Sequence, residues 1–176
     1  MAAAGCTTFI VHARKAWLKG LSPRQNREIP PLDYARVHRL KAARPDLGIV
    51  INGGIASLEE AEGHLAHVDG VMLGRAAYHT PWLVADADRR IFGDVNPVMS
   101  RAAAIAAFLP YVDAKLAQGV FLSRLTRHLL GLYHGEPGGR RWRRHLSQGA
   151  HRAGAGRDVI AEALRLVEDS RARAAA

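Results

Sequence analysis

Three short apolar runs constrain this chain more than any other feature: residues 8–12 (Thr-Phe-Ile-Val-His), residues 47–51 before Asn52-Gly53-Gly54, and residues 71–73 before Gly74-Arg75. Each is β-branched or aliphatic without polar alternation, the pattern of strands buried on both faces. Between the first two, Asp33 is placed to cap a helix whose apolar positions Tyr34, Val37 and Leu40 recur at helical spacing before Pro45 stops it. Between the second and third, Ser57-Leu58-Glu59-Glu60 has the form of a capping box, and Leu58, Ala61 and Leu65 mark the buried side. The order βαβαβ implies a parallel sheet, because parallel neighbours need a crossover to return the chain to the same end.

The connection over residues 13–31, rich in Arg, Lys, Pro and Asn, is much longer than the roughly 2 to 6 residues usual between a strand and a helix. Long loops at strand carboxyl ends commonly bind something. After Arg75 the strand signals cease. Residues 81–91 and 100–118 read as helices separated by a break at 93–97; Pro110 is expected to kink the second, whose apolar face carries Ile105, Leu109, Val112 and Leu116. Leu122, Leu125, Leu129 and Leu132 form a further helical face, followed by a turn at 135–139, a short basic helix at 140–147 and a last helix at 158–169, with a frayed end from Arg171. The expected organisation is a strand-bearing domain over residues 1–93 and a small all-helical domain over 94–176.

The strand ends carry the informative constellation. Gly53 and Gly54 let bare backbone N–H groups approach an anion, Gly74 does the same on the adjacent strand end, and Arg75 adds a guanidinium fork. Taken singly, Gly53-Gly54 reads as a tight turn and Gly74 as a packing glycine; together, in this order, they match the phosphate grip formed by the last two strand loops of a (β/α)₈ barrel. His12 ends the first strand on the same rim, which favours a cofactor contact over a purely structural role. Arg14 and Lys15 are placed to reach a polyanion or to salt-bridge the rim. His64 and His67 fall on the outer helix without a carboxylate cluster, so no metal site is expected. Phosphate-loop, dinucleotide and nucleophile-elbow motifs are absent. Cys6, the only cysteine, precedes the first strand and is expected to be a small buried residue.

The formal charge of +9 is uneven, with 13 basic and 7 acidic residues after Gly93. Over residues 123–157 the eight arginines Arg124, Arg127, Arg140, Arg141, Arg143, Arg144, Arg152 and Arg157 face a single acid, Glu136. The bland reading is a solvated helical face. Histidines, Trp142 and Tyr133 interleave with the arginines, and guanidinium forks beside flat rings suit phosphates and unstacked bases, which points to RNA. The sequence shows no apolar run long enough to cross a bilayer and no secretory leader, so a cytoplasmic protein without a membrane partner is expected.

Longer segments carry a family resemblance. Residues 9–23 (Phe-Ile-Val-His-Ala-Arg-Lys-Ala-Trp-Leu-Lys-Gly-Leu-Ser-Pro), 26–34 (Asn-Arg-Glu-Ile-Pro-Pro-Leu-Asp-Tyr), 51–55, 69–75 and Thr126-Arg127-His128 resemble the flavin-dependent tRNA-dihydrouridine synthases, the bacterial A type in particular. The resemblance covers nearly the whole chain and corresponds to the carboxyl-terminal half of that family. It implies an α/β fold, the carboxyl-terminal part of a (β/α)₈ TIM barrel, followed by the helical domain. It also implies FMN, NADPH as reductant, and reduction of uridine to 5,6-dihydrouridine in the tRNA D-loop: hydride goes to C6, and a cysteine protonates C5.

By matching motif, His12, Asn52, Gly53, Gly54, Gly74 and Arg75 would be FMN contacts. By position, Arg24, Arg27, Arg127, Arg140, Arg141, Arg143 and Arg144 would meet tRNA. The family's catalytic cysteine and a flavin-binding lysine have no counterpart here, Cys6 lying outside the cysteine motif. At 176 residues the chain falls well short of the roughly 250 a whole barrel takes. It is therefore expected to be inactive alone, as a fragment that associates with a missing amino-terminal half or with itself through exposed sheet edges. The alternatives are a noncatalytic basic RNA-binding module and, more distantly, a sugar-phosphate barrel enzyme.

Overall fold

The computed structural model describes residues 1–17, 19–95 and 100–175, and the chain divides into two compact units, Met1–Ala76 and Ala77–Ala176. The division falls before the boundary expected at residue 93. Part of the expected break at 93–97 lies outside the described residues, as does Leu18 of the loop motif.

The first unit is built on a parallel sheet of β1 (Thr8–His12), β2 (Gly48–Asn52) and β3 (Gly70–Met72), in that spatial order. A short helix α1 (Pro23–Asn26) lies in the long connection, and α2 (Tyr34–Ala43) and α3 (Leu58–Leu65) are the crossovers. Register pairs His12 with Asn52 and Asn52 with Met72, so the three strands end level. Adjacent strands lie about 4.8 Å apart, which fixes the spacing of whatever these ends carry.

Ile49 and Ile51 of the central strand are fully buried and pack with Val37, Leu47, Ile55, Ala61 and Val68. β1 departs from the expectation of a strand buried on both faces. It alternates exposed and half-buried residues, with Ile10 62% exposed on the sheet face opposite the buried Ile49 and Ile51.

The caps follow side-chain chemistry. Asp33 Oδ1 accepts the Arg36 N–H at 3.0 Å and opens α2. Ser57 Oγ accepts the Glu60 N–H at 3.1 Å, but Glu60 turns its carboxylate to the Ala56 N–H at 2.9 Å, so only half of the expected box forms. The full box is at α1, where Ser22 and Gln25 exchange side-chain and backbone bonds.

The long loop is folded back on itself. Asn26 bridges both backbone groups of Trp17 at 2.9 Å, and Arg14 donates to the carbonyls of Glu28 and Pro30. Arg14 therefore clamps the loop rather than reaching a polyanion. An antiparallel bridge, Arg14 to Leu32, closes the loop beside β1. Cys6, expected to be buried, is exposed, because it lies ahead of β1 outside the packed sheet.

In the second unit all described elements are helical. α4 (Arg75–His79) leads in, followed by a 3₁₀ turn (Pro81–Val84), α5 (Ala87–Phe92), α6 (Arg101–Ala117), α7 (Leu122–Thr126), α8 (Gly139–Gly149) and α9 (Arg157–Ala175). The single helix expected over 81–91 is divided, with the 3₁₀ turn beginning at Pro81. The leucine face starting at Leu122 leaves the helix after Thr126, where residues 127–135 form turns. Gly131 there passes so close to α4 that a Cβ would lie 2.0 Å from the His79 carbonyl oxygen, a path closed to any larger residue. α9 runs through the expected frayed end.

Ile105, Val112, Leu122, Leu146, Ile160 and Val167 surround Trp142 in the core. Trp142 and Tyr133, expected among the RNA-facing aromatics, are buried, and the indole N–H donates to the Leu129 carbonyl at 2.8 Å. The amphipathic α8 turns its one large ring inward and its arginines outward, so neither ring is free to stack on a base. Arg101 is held in the same unit by Glu136 at 3.1 Å, by the Leu132 carbonyl at 2.8 Å and over the Trp82 ring at 4.8 Å.

Candidate functional site

The level ends of three parallel strands produce a shared rim. A cavity of about 490 Å³ there is lined by His12, Asn52, Gly54, Met72, Gly74 and Arg75, together with Arg27, Ile55 and Ala76. Gly54 and Arg75, from different strand ends, thus face one space. Gly53 is not among the lining residues. It is buried beneath the rim with φ +130°, where a Cβ would meet Leu32 at 3.0 Å and the His12 ring at 3.3 Å. Gly54 has φ +77°, the left-handed region in which glycine carries no steric cost, and a Cβ there would lie 2.8 Å from Leu32.

The rim is basic. Arg75 Nη1 lies 3.3 Å from Glu28 Oε1, Glu28 also lies 3.8 Å from Arg24, and Arg27 reaches the cavity from the long loop. Partial burial, then the charges of Arg14 and Arg75, hold the His12 imidazole below its ordinary pKa. His12 Nδ1 lies 3.2 Å from the Arg14 N–H and accepts it, so the neutral ring carries its proton on Nε2. Asn52 donates from Nδ2 to the Met72 sulfur at 3.0 Å.

These residues fit a phosphate. A glycine-turn amide with no acceptor among the described residues, two guanidinium groups and a side-chain amide converge on one space, and the cavity face of Gly74 is open where a Cβ would stand. Arg27, expected among the tRNA contacts, is part of this rim. Arg24 is exposed beside Glu28.

Beneath the rim lies a group the sequence reading passed over. His64, on the outer helix as expected, is buried on α3, 3.1 Å from His38 Nε2 through its Nδ1. Tyr34 leans on the His64 ring at 4.5 Å and donates its hydroxyl to the Gly53 carbonyl at 2.7 Å. The signal for this network was present in helical spacing, since Tyr34 and His38 lie one turn apart on α2. No group of three or more His, Cys, Asp or Glu suited to a metal ion occurs among the described residues.

In the second unit Arg127, Arg140, Arg141, Arg143 and Arg144 are all exposed. Arg127 and Arg143 line a cavity of about 480 Å³ with Tyr78, His79 and His134. Arg143 and Arg140 line the next hollow, and Arg140 and Arg141 a third. Arg144 lines none of these. Glu136, the one acid in the patch, is engaged by Arg101 and Arg171 and leaves these arginines without a carboxylate partner among the described residues. No helix among the described residues is long and apolar enough to cross a membrane.

A parallel α/β sheet whose strand ends carry a glycine- and arginine-lined cavity defines the class of protein to which this chain conforms. The chain belongs to the dihydrouridine synthase (Dus) family, whose pattern it matches over residues 1–168. It is similar to the tRNA-dihydrouridine(20/20a) synthase of Escherichia coli strain K12, with 55% identity over 166 residues, covering 94% of this chain and 48% of that protein. The enzyme of the same name from Vibrio cholerae serotype O1 is 54% identical over 160 residues, covering 91% of this chain and 49% of its own length. That of Salmonella typhimurium is 56% identical over 170 residues, covering 94% and 50%. The chain spans about half the length of these curated relatives.

Proposed function

We propose that the rim cavity binds the phosphate of FMN and that the chain serves an NADPH-driven tRNA-dihydrouridine synthase, an oxidoreductase that reduces uridine to 5,6-dihydrouridine in the tRNA D-loop. The observation that carries this reading is the common cavity of His12, Asn52, Gly54, Gly74 and Arg75. When bound, reduced flavin would supply hydride to C6 of the uridine. Arg27, Arg75 and the Gly54 and Gly74 amides would hold the phosphate, while Asn52 and neutral His12 offer donors toward the rest of the cofactor. Gly53 supports the turn from below rather than contacting the ligand directly.

In this reading β1–β3 are the carboxyl-terminal strands of a TIM barrel, and the free edges of β1 and β3 are where its remaining strands, or a second copy of this chain, would pair. The chain alone would bind without turning over, since no cysteine reaches the rim: Cys6 precedes β1, whose length of about 13 Å separates that end from the rim. Arg24 and the exposed Arg127, Arg140, Arg141, Arg143 and Arg144 would contact tRNA phosphates, and a cytoplasmic setting accords with that substrate. Exposed Tyr78, beside Arg127 and Arg143, takes over the role of base platform that buried Trp142 cannot fill.

Flavin fluorescence and tRNA binding by the full chain test this. Arg75→Ala should weaken FMN and leave tRNA affinity nearly unchanged, and Arg143→Gln with Arg144→Gln should do the reverse. Losses of equal size in both assays contradict the division of labour. Retained tRNA binding with no flavin binding at all favours the noncatalytic RNA-binding module.

A further inference from the structure

In a planar trans peptide the C=O of one residue and the N–H of the next point in opposite directions. The Gly53 carbonyl accepts the Tyr34 hydroxyl at 2.7 Å. The Gly54 N–H, the other end of that peptide, is therefore turned away from Tyr34. It has no acceptor among the described residues, and Gly54 lines the rim cavity. We propose that Tyr34 is a positioning residue for anion binding: by holding the Gly53 carbonyl from below, its hydroxyl aims the Gly54 amide hydrogen into the cavity.

Glycines at φ +130° and +77° can flip their shared peptide at little steric cost, so the turn needs an external hold. Leu32 supplies contact but no direction, because its methyl groups lie under both glycines without a polar atom. Tyr34 supplies the direction. Its hydroxyl also lies 3.3 Å from Glu60 Oε1, but its one proton goes to the nearer Gly53 carbonyl; Glu60 anchors the other end of the 53–56 turn by accepting the Ala56 N–H at 2.9 Å. Burial, then the Glu60 charge, raises the Tyr34 pKa, which keeps the hydroxyl protonated as a donor. The buried His64 ring, itself bonded to His38, backs the phenol at 4.5 Å. Tyr34 touches no ligand in this scheme and acts only through the peptide that it orients.

The inference rests on the phosphate-site reading and is tested by comparing FMN with riboflavin, which has the same ring system and no phosphate. In the full chain, Y34F removes one oxygen and keeps the ring packed on His64. FMN affinity should fall roughly tenfold, the scale of a hydrogen bond to a charged group. Riboflavin affinity should stay nearly constant, while the unfolding temperature falls by about 2 to 4 degrees because the Gly53 carbonyl loses its donor. E60Q, which keeps a hydrogen-bonding partner for Tyr34, should retain most of the FMN preference. An unchanged FMN-to-riboflavin ratio in Y34F, or equal losses for both ligands, overturns the role of Tyr34 while leaving the phosphate site in place. A wild-type chain with no preference for FMN over riboflavin removes the phosphate site and this inference together.

Discussion

Arg75 and Glu28 face each other across the rim at 3.3 Å, an exposed ion pair that joins the third strand end to the long loop. The guanidinium proposed to grip a phosphate is thus held in place by a carboxylate that repels one. Exposed pairs of this kind contribute little to stability, about 0 to 1 kcal/mol, so the pair is cheap to break when an anion arrives. Glu28→Gln should tighten FMN binding by about two- to fivefold at low salt, with the gain shrinking as salt is added. Isothermal titration at two ionic strengths checks this. A loss of affinity on Glu28→Gln would mean that the pair aligns Arg75 rather than competing for it.

The burial of Trp142 makes a contrast with its arginine neighbours on α8. Trp142→Phe removes the indole N–H bond to the Leu129 carbonyl and leaves a void, and should cost about 1 to 3 kcal/mol in urea unfolding. At temperatures where it remains folded, its RNA affinity should match that of the unchanged chain. Arg143→Gln should leave unfolding nearly unaltered while making RNA binding less sensitive to salt. Single-strand binding would lose roughly 0.7 from the slope of log affinity against log salt for each phosphate contact removed.

Arg101 is basic but belongs to the fold. Its side chain is 15% exposed and is satisfied by Glu136, the Leu132 carbonyl and the Trp82 face. Arg101→Ala leaves Glu136 without this partner and should destabilise the chain by about 1 to 3 kcal/mol, less than breaking a fully buried pair because both side chains are partly exposed and Glu136 keeps Arg171. Thermal and urea unfolding of this variant against Arg144→Ala, which should be nearly neutral, separates structural from surface arginines.

Two histidines set an acid-side limit on stability. Burial lowers the pKa of His12, helped by Arg14 and Arg75, and burial likewise lowers that of His38, helped by His67 and His64, in each case from an ordinary value of 6.5. Because the folded protein resists protonation, the unfolded chain takes up protons first as pH falls. Stability should be flat above about pH 7 and should decline from 6.5 downward until the folded rings also titrate. Asp69, whose pKa is lowered by the Ile49 N–H and then by Lys41, acts in the carboxylate range, well below this window. Urea unfolding from about pH 8 to about pH 5 should show the decline, and a combined His12→Asn and His38→Asn variant should flatten it.

The sequence made the sheet order and the rim legible, because alternating apolar runs and helical spacing determine a parallel βαβαβ unit and thereby put Asn52, Gly54, Gly74 and Arg75 at one end. It also marked the caps at Asp33 and Ser57. It did not reveal which residues stand beneath the rim. The Tyr34 hydroxyl meets Gly53 across 19 positions, and a contact of that separation leaves no local pattern. The inward turn of Trp142 was masked by the arginines around it, although its i+4 partner Leu146, also fully buried, carried the signal of a core-facing stripe. The turns that follow the leucine helix bring Gly131 against His79, again a contact between distant positions.

The central claim is that two adjacent strand ends close on one phosphate. Backbone amide spectra of the isotope-labelled chain, titrated with FMN and separately with inorganic phosphate, test it most directly. The Gly54, Gly74 and Arg75 resonances should move together with both ligands, and Gly53 should move less. Shifts confined to the arginines of α8, with the rim glycines unmoved at saturating FMN, would contradict it.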